Sequence, residues 1–241
     1  MKRVFYLLLS LLLLTGCSED EQATPEENQL AKVFTETEST NAVITLTSIE
    51  IKGSVENKGE ALLAYGVVWS NNPQPTINDH LIDESRATQA VLLKESSTGT
   101  MLSFTTIIDG LIPGENYYFR IFAETEGGVA YGEEINLVTE DLAGTKWDFY
   151  FNHFPDEEAR NWHGDVEFYE DGTAFYDEPA TPGVYATEGT WTLDGDSLTY
   201  YLQGDPEATS YILTGKIEGN TMSGTYTFGE EDYKEWTAVK Y

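Results

Sequence analysis

The chain has 241 residues with 13 Lys+Arg against 42 Asp+Glu, a formal charge of −29. That length is enough for one or two domains, and such a charge repels nucleic acid and anionic lipid headgroups, so nucleic-acid binding is excluded. One cysteine rules out any intramolecular disulfide, and the packing of apolar cores must hold the chain together.

Taken in chain order, Lys2 and Arg3 form a positive start, and Val4 to Leu14 form an apolar run broken only by Ser10. The run is too short to span a bilayer, which needs about 20 apolar residues, and it fits the apolar part of a signal peptide. Leu14-Thr15-Gly16-Cys17 follows and resembles the lipobox of bacterial lipoproteins. The resemblance implies a signal peptide over 1–16, cleavage before Cys17, and a lipid on the Cys17 thiol. Loss of Lys2 and Arg3 then leaves 11 basic against 42 acidic residues, a charge of −31. Ser18-Glu19-Asp20-Glu21 resembles the acidic surface-export signal of Bacteroidetes-type lipoproteins, within an anchor and tether over 17–30. It implies an outer-membrane protein facing the cell exterior, with the periplasmic face as the alternative.

From Val33 onward apolar residues alternate and turn residues recur at short intervals, which is the all-β pattern. A break near Glu140-Asp141-Leu142-Ala143-Gly144 divides residues 31–140 from 142–241. In the first segment, strands are expected at 43–47, 49–56, 62–70, 89–95, 102–109, 116–125 and 129–139. Tyr65, Val67 and Trp69 should share one face, as should Tyr117, Phe119, Ile121 and Ala123, which argues a two-sheet antiparallel sandwich. Leu111-x-Pro113-Gly114-x-x-Tyr117-x-Phe119-x-Ile121-x-Ala123 is similar to the corner before the sixth strand of fibronectin type III domains. Tyr65-Gly66-Val67-Val68-Trp69-Ser70 and Gly127-Gly128-Val129-Ala130-Tyr131-Gly132 are similar to other parts of that family. The resemblance implies a Tyr117 hydroxyl bonded to backbone near Leu111, Trp69 as a core plug, and a spacer or interaction module.

In the second segment, eight strands are expected at 145–151, 164–170, 173–178, 186–193, 197–203, 210–218, 221–228 and 234–240. Short hairpins join most of them, which points to an eight-stranded up-and-down barrel. Two-residue turns at Asp171-Gly172, Asp194-Gly195 and Gly219-Asn220 would put Phe168 opposite Phe175, Trp191 opposite Leu198 and Ile217 opposite Met222. That register sends Tyr169, Tyr176 and Tyr201 outward. Phe168, Phe175, Trp191, Tyr200, Tyr211, Tyr226, Phe228 and Trp236 would point in, crowding the interior toward a filled core. Leu142-x-Gly144-Thr145-x-Trp147, Gly189-Thr190-Trp191-Thr192-Leu193-Asp194-Gly195 and Trp236-Thr237-Ala238 resemble bacterial lipocalin-like domains. The resemblance implies a barrel whose mouth can take an apolar molecule.

No catalytic motif is present, and no enzymatic activity or cofactor is expected. His153 and His163 flank the loop 152–163 with Asp156-Glu157-Glu158 inside it, but no third or fourth ligand stands at metal-binding spacing, and no metal is expected. His80 lies in a polar stretch without a partner motif. The candidate contact residues are Trp162, His163, Tyr169, Tyr176 and Tyr201, because exposed aromatics suit sugars and proteins alike. The expected function is a lipid-anchored binding or adhesion-type protein, with the sandwich as spacer and the barrel taking a glycan, a lipid-like ligand or a protein partner. A non-ligand accessory subunit of a cell-envelope complex is the alternative.

Overall fold

A computed structural model describes residues 30–37, 42–86, 101–152, 162–203, 211–228 and 234–241. Within them every regular element is a strand and every pairing is antiparallel. The first half forms two facing sheets. In one, β3 (Ile49–Glu56) carries β6 (Met101–Ile108) along one edge, and β1 (Lys32–Thr35) and β2 (Val43–Ile44) along the other. In the second, β4 (Leu62–Ser70) lies between β5 (His80–Asp83) and β7 (Asn116–Thr125), and β8 (Gly128–Tyr131) and β9 (Ile135–Val138) share the far edge of β7.

Alternation places Ile49, Ile51 and Val55 of one sheet against Tyr65, Val67, Phe119 and Ile121 of the other, all buried in one apolar cluster. The Ile112 amide donates to the Tyr117 hydroxyl at 3.0 Å, the backbone contact expected of that tyrosine. Trp69 differs from expectation: it is only half-buried, packs against the edge of the cluster, and stacks on His80 at 5.4 Å. His80 is therefore not in a loop; it opens β5 opposite Trp69. The short edge strands β1 and β5 escape sequence reading because four residues with one half-exposed face carry little alternation. The expected strand 129–139 is two strands parted at Gly132–Glu134, and the expected strand 89–95 lies outside the described residues.

The second half is a closed barrel in chain order: β10 (Lys146–Asn152), β11 (Trp162–Phe168), β12 (Thr173–Asp177), β13 (Thr187–Asp194), β14 (Ser197–Leu202), β15 (Tyr211–Glu218), β16 (Thr221–Phe228) and β17 (Lys234–Lys240). The last strand pairs with the first, so the barrel has no free edge. The three hairpins test the expected registers. At Gly219-Asn220, Ile217 faces Met222 and Leu213 faces Tyr226, as read from sequence. In the next hairpin the turn is Gly195-Asp196, one residue later than expected, so Trp191 faces Tyr200 rather than Leu198. A partner shift of two residues leaves every side chain on its expected face.

The third hairpin is a correction. Tyr169 pairs with Thr173 around the loop Glu170-Asp171-Gly172, and Gly172 has a φ of 81°. Three loop residues ending in a left-handed glycine shift the partner by one, and one residue inverts a strand's faces. Phe168 therefore meets Ala174, Phe175 points out at 39% exposure, and Tyr176 turns into the barrel at 4%.

The interior is filled by aromatic rings seated on glycines. Phe149 stacks on Trp236 at 5.0 Å and meets Tyr200 edge-on at 6.2 Å. The Tyr176 ring occupies the space a side chain at Gly164 would need, and the Tyr200 ring does the same at Gly189. Eight strands enclose little more than side-chain volume, so wide rings are accommodated only where a facing position has no Cβ.

The barrel's two ends differ in connection. The hairpins 169–172, 195–196 and 219–220 all fall at one end, together with the incoming chain at Leu142 and the outgoing Lys240. The sandwich docks there. Leu46, in the turn between β2 and β3, is fully buried and belongs to the barrel's apolar cluster rather than to the sandwich's. The Gly219 amide donates to the Thr47 hydroxyl at 2.6 Å, and Lys240 pairs with Glu140 at 2.6 Å. Leu30 lies beside Gly128, at the opposite end of the sandwich. The described chain thus enters far from the barrel and runs sandwich, closed end, mouth.

A candidate site at the barrel mouth

The strand ends that face away from the sandwich bound a concavity of about 530 Å³. Trp162 opens β11, Tyr176 lies next to last in β12, Leu202 ends β14 and Tyr211 opens β15, and all four line it. The connection after β12 supplies Glu178, Val184 and Tyr185, the last two largely exposed. Three tight turns hold the other end of these strands, so the mouth side chains stand on a fixed frame.

Phe151 is fully buried and packs against the lining rings. Trp162 stacks on it at 5.3 Å with the rings 13° from parallel, and Tyr176 and Tyr226 meet it edge-on at 6.2 and 5.5 Å. The Tyr176 hydroxyl donates to Glu178 Oε1 at 3.1 Å. Burial, reinforced by the Glu178 carboxylate, pushes the Tyr176 phenol well above its ordinary range. It stays neutral and can donate to the carboxylate at any physiological pH. Deeper in, the Tyr200 hydroxyl is buried and has no hydrogen-bond partner among the described residues. Burial alone raises its pKa, and an unpaired buried hydroxyl costs about 1–3 kcal/mol.

The structure brings two of the five candidate contacts together. Trp162 and Tyr176 line the mouth, and Tyr176 does so because of the inverted register rather than from the outer wall. His163 points the other way: its Nδ1 lies 2.9 Å from Asp148 Oδ1, and its ring packs on Tyr150 at 5.0 Å. Tyr169 is exposed beside the closed-end hairpin and donates to Glu167 at 3.3 Å. Tyr201 is half-buried on the outer wall, alternating with the inward Tyr200. Cys17, His153 and the acidic stretch Asp156-Glu157-Glu158 lie outside the described residues. Sequence reading missed Glu178 and Tyr185, which sit in a connection without alternation. It took Tyr211 as inward without assigning it to the mouth. The signal was available, since alternate connections of an up-and-down barrel share one end and Trp162, Tyr176 and Tyr211 all stand at strand ends there.

The fold is a closed β-barrel joined to a two-sheet β-sandwich, with a hollow at the barrel's far end. A family model for the prokaryotic membrane lipoprotein lipid attachment site matches residues 1–18, which include the chain's single cysteine. The protein is accordingly a bacterial lipoprotein held to a membrane through an N-terminal lipid on Cys17. No curated protein and no solved structure matches the chain.

Proposed function

We propose that this lipoprotein is a binding protein rather than an enzyme, with the barrel mouth as its ligand site and the sandwich as its spacer. On this reading the sandwich is a fibronectin type III-like domain and the barrel a lipocalin-like domain. The lipid holds them to the outer membrane with the mouth facing the cell exterior, as in Bacteroidetes-type lipoproteins. One observation carries the reading: the mouth concavity lies at the barrel end opposite the docked sandwich, and the chain enters at the sandwich's far end. An aromatic-walled hollow with few, convergent polar groups is the common form of a small-molecule site.

The test uses the mature lipidated protein in a nonionic detergent, with native mass spectrometry against glycans, fatty acids and small amines. Proteolysis of intact cells reports the exposed face. A bound species that Tyr185→Ala displaces supports the mouth as the site. Blanks against every class, or a ligand indifferent to that change, overturn it. One feature favours the second reading, an accessory subunit of an envelope complex: Leu63 and Leu81 are exposed beside a hollow of about 580 Å³ on the second sheet of the sandwich. Crosslinking in intact cells would then recover one partner in fixed ratio, and substitution of Leu63 and Leu81 by serine would release it.

A further inference from the structure

Resting on the mouth as a ligand site, we infer that its ligand carries an organic cation, an alkylammonium group held against the aromatic wall and Glu178. Two observations converge. Trp162, Tyr176, Tyr185 and Tyr211 supply ring surface around one hollow, and the negative face of such rings attracts a desolvated ammonium ion. Glu178 is the only charged group among the described residues lining that hollow. Tyr176 engages only one of its carboxylate oxygens closely, while the other meets Thr181 at 3.4 Å. A carboxylate in such a low-dielectric hollow attracts cations and repels carboxylates and phosphates. Lys234, which opens β17, does not line the hollow. A fatty acid would place its carboxylate against Glu178, and a neutral sugar would gain hydrogen bonds to it but no attraction between net charges.

The experiment compares choline with its neutral isostere 3,3-dimethylbutan-1-ol by calorimetric titration of the mature lipidated protein in a nonionic detergent. Choline should bind at least about tenfold more tightly, a ratio that one partly desolvated cation–ring and carboxylate contact readily supplies. Glu178→Gln should bring the ratio close to one, and Tyr185→Ala should weaken choline several-fold. Glutamine keeps an acceptor for the Tyr176 hydroxyl and Tyr185 is largely exposed, so both variants should fold, and a thermal melt of each verifies it. Equal binding of the two probes overturns the inference and leaves the mouth as a binding site. So does a mouth that takes a fatty acid or glycan while ignoring choline. Blanks for every probe overturn both readings.

Discussion

The two ends of the barrel are built from the same eight strands and solve opposite problems. At the closed end, Gly195 and Gly219 adopt φ of 62° at the first position of two-residue turns, the left-handed geometry that lets a right-twisted hairpin close tightly. The sandwich then covers that end, with Leu46 buried among barrel side chains. At the mouth the strands end in longer connections, and rings that elsewhere pack on one another are left lining a hollow. One end is thus packed against the sandwich and the other is left hollow. The division is economical because tight turns fix register along whole strands, so the mouth geometry is held from a distance.

That contrast can be broken at several points. The largest effect is expected at the closed end. Leu46→Ala should cost about 2–5 kcal/mol, because the barrel has no side chain to fill the space. Calorimetry should then resolve separate sandwich and barrel transitions where the parent protein shows one; an unchanged melt would mean the docking carries no stability. Next comes the mouth. At Gly164 a methyl group would stand 2.0 Å from the Tyr176 ring, so Gly164→Ala should lose about 1–3 kcal/mol in denaturant titration and weaken ligand binding as the ring is displaced. Tyr200→Phe removes the unpaired buried hydroxyl and should raise stability by about 1 kcal/mol. A loss instead would reveal a polar partner in the interior.

The smallest effect returns to the closed end. The Lys216 ammonium lies 3.0 Å from Asp196 and, with the Ser197 hydroxyl, holds the Asp196 carboxyl below its ordinary range. A depressed folded pKa stabilises the protein above the unfolded value, and the contribution disappears as pH falls through the folded one. Lys216 is mostly exposed, so screening limits the effect. Asp196→Asn should therefore cost less than about 1 kcal/mol at neutral pH, with the difference vanishing in strong acid and shrinking in salt.

How much of this was legible in the chain can be judged hairpin by hairpin. Alternation between Tyr211 and Phe228 permits only one register across Gly219-Asn220, and the structure has it. Around Asp171-Gly172 the same reasoning fails by one residue. A left-handed glycine suits the second position of a two-residue turn and the third of a three-residue loop equally well, and the flanking apolar residues Phe168, Phe175 and Tyr176 satisfy either. That single residue decides whether Tyr176 lies on the outer wall or in the mouth. Leu46 was illegible for a different reason. Alternation with Ile44 puts it in the expected strand 43–47, but that strand ends at Ile44, and the partners of Leu46 come from a domain about a hundred residues further along the chain.

The sequence by itself determined the lipid-bearing Cys17, the all-β character, and the division of most barrel strands into an inward and an outward face. These depend on local order and a period of two, which adjacent residues encode directly. Tertiary structure alone decided which barrel end the sandwich covers and which rings meet around Glu178. Both depend on contacts between residues distant in sequence, and on one extra loop residue whose consequence appears only when the strand is paired.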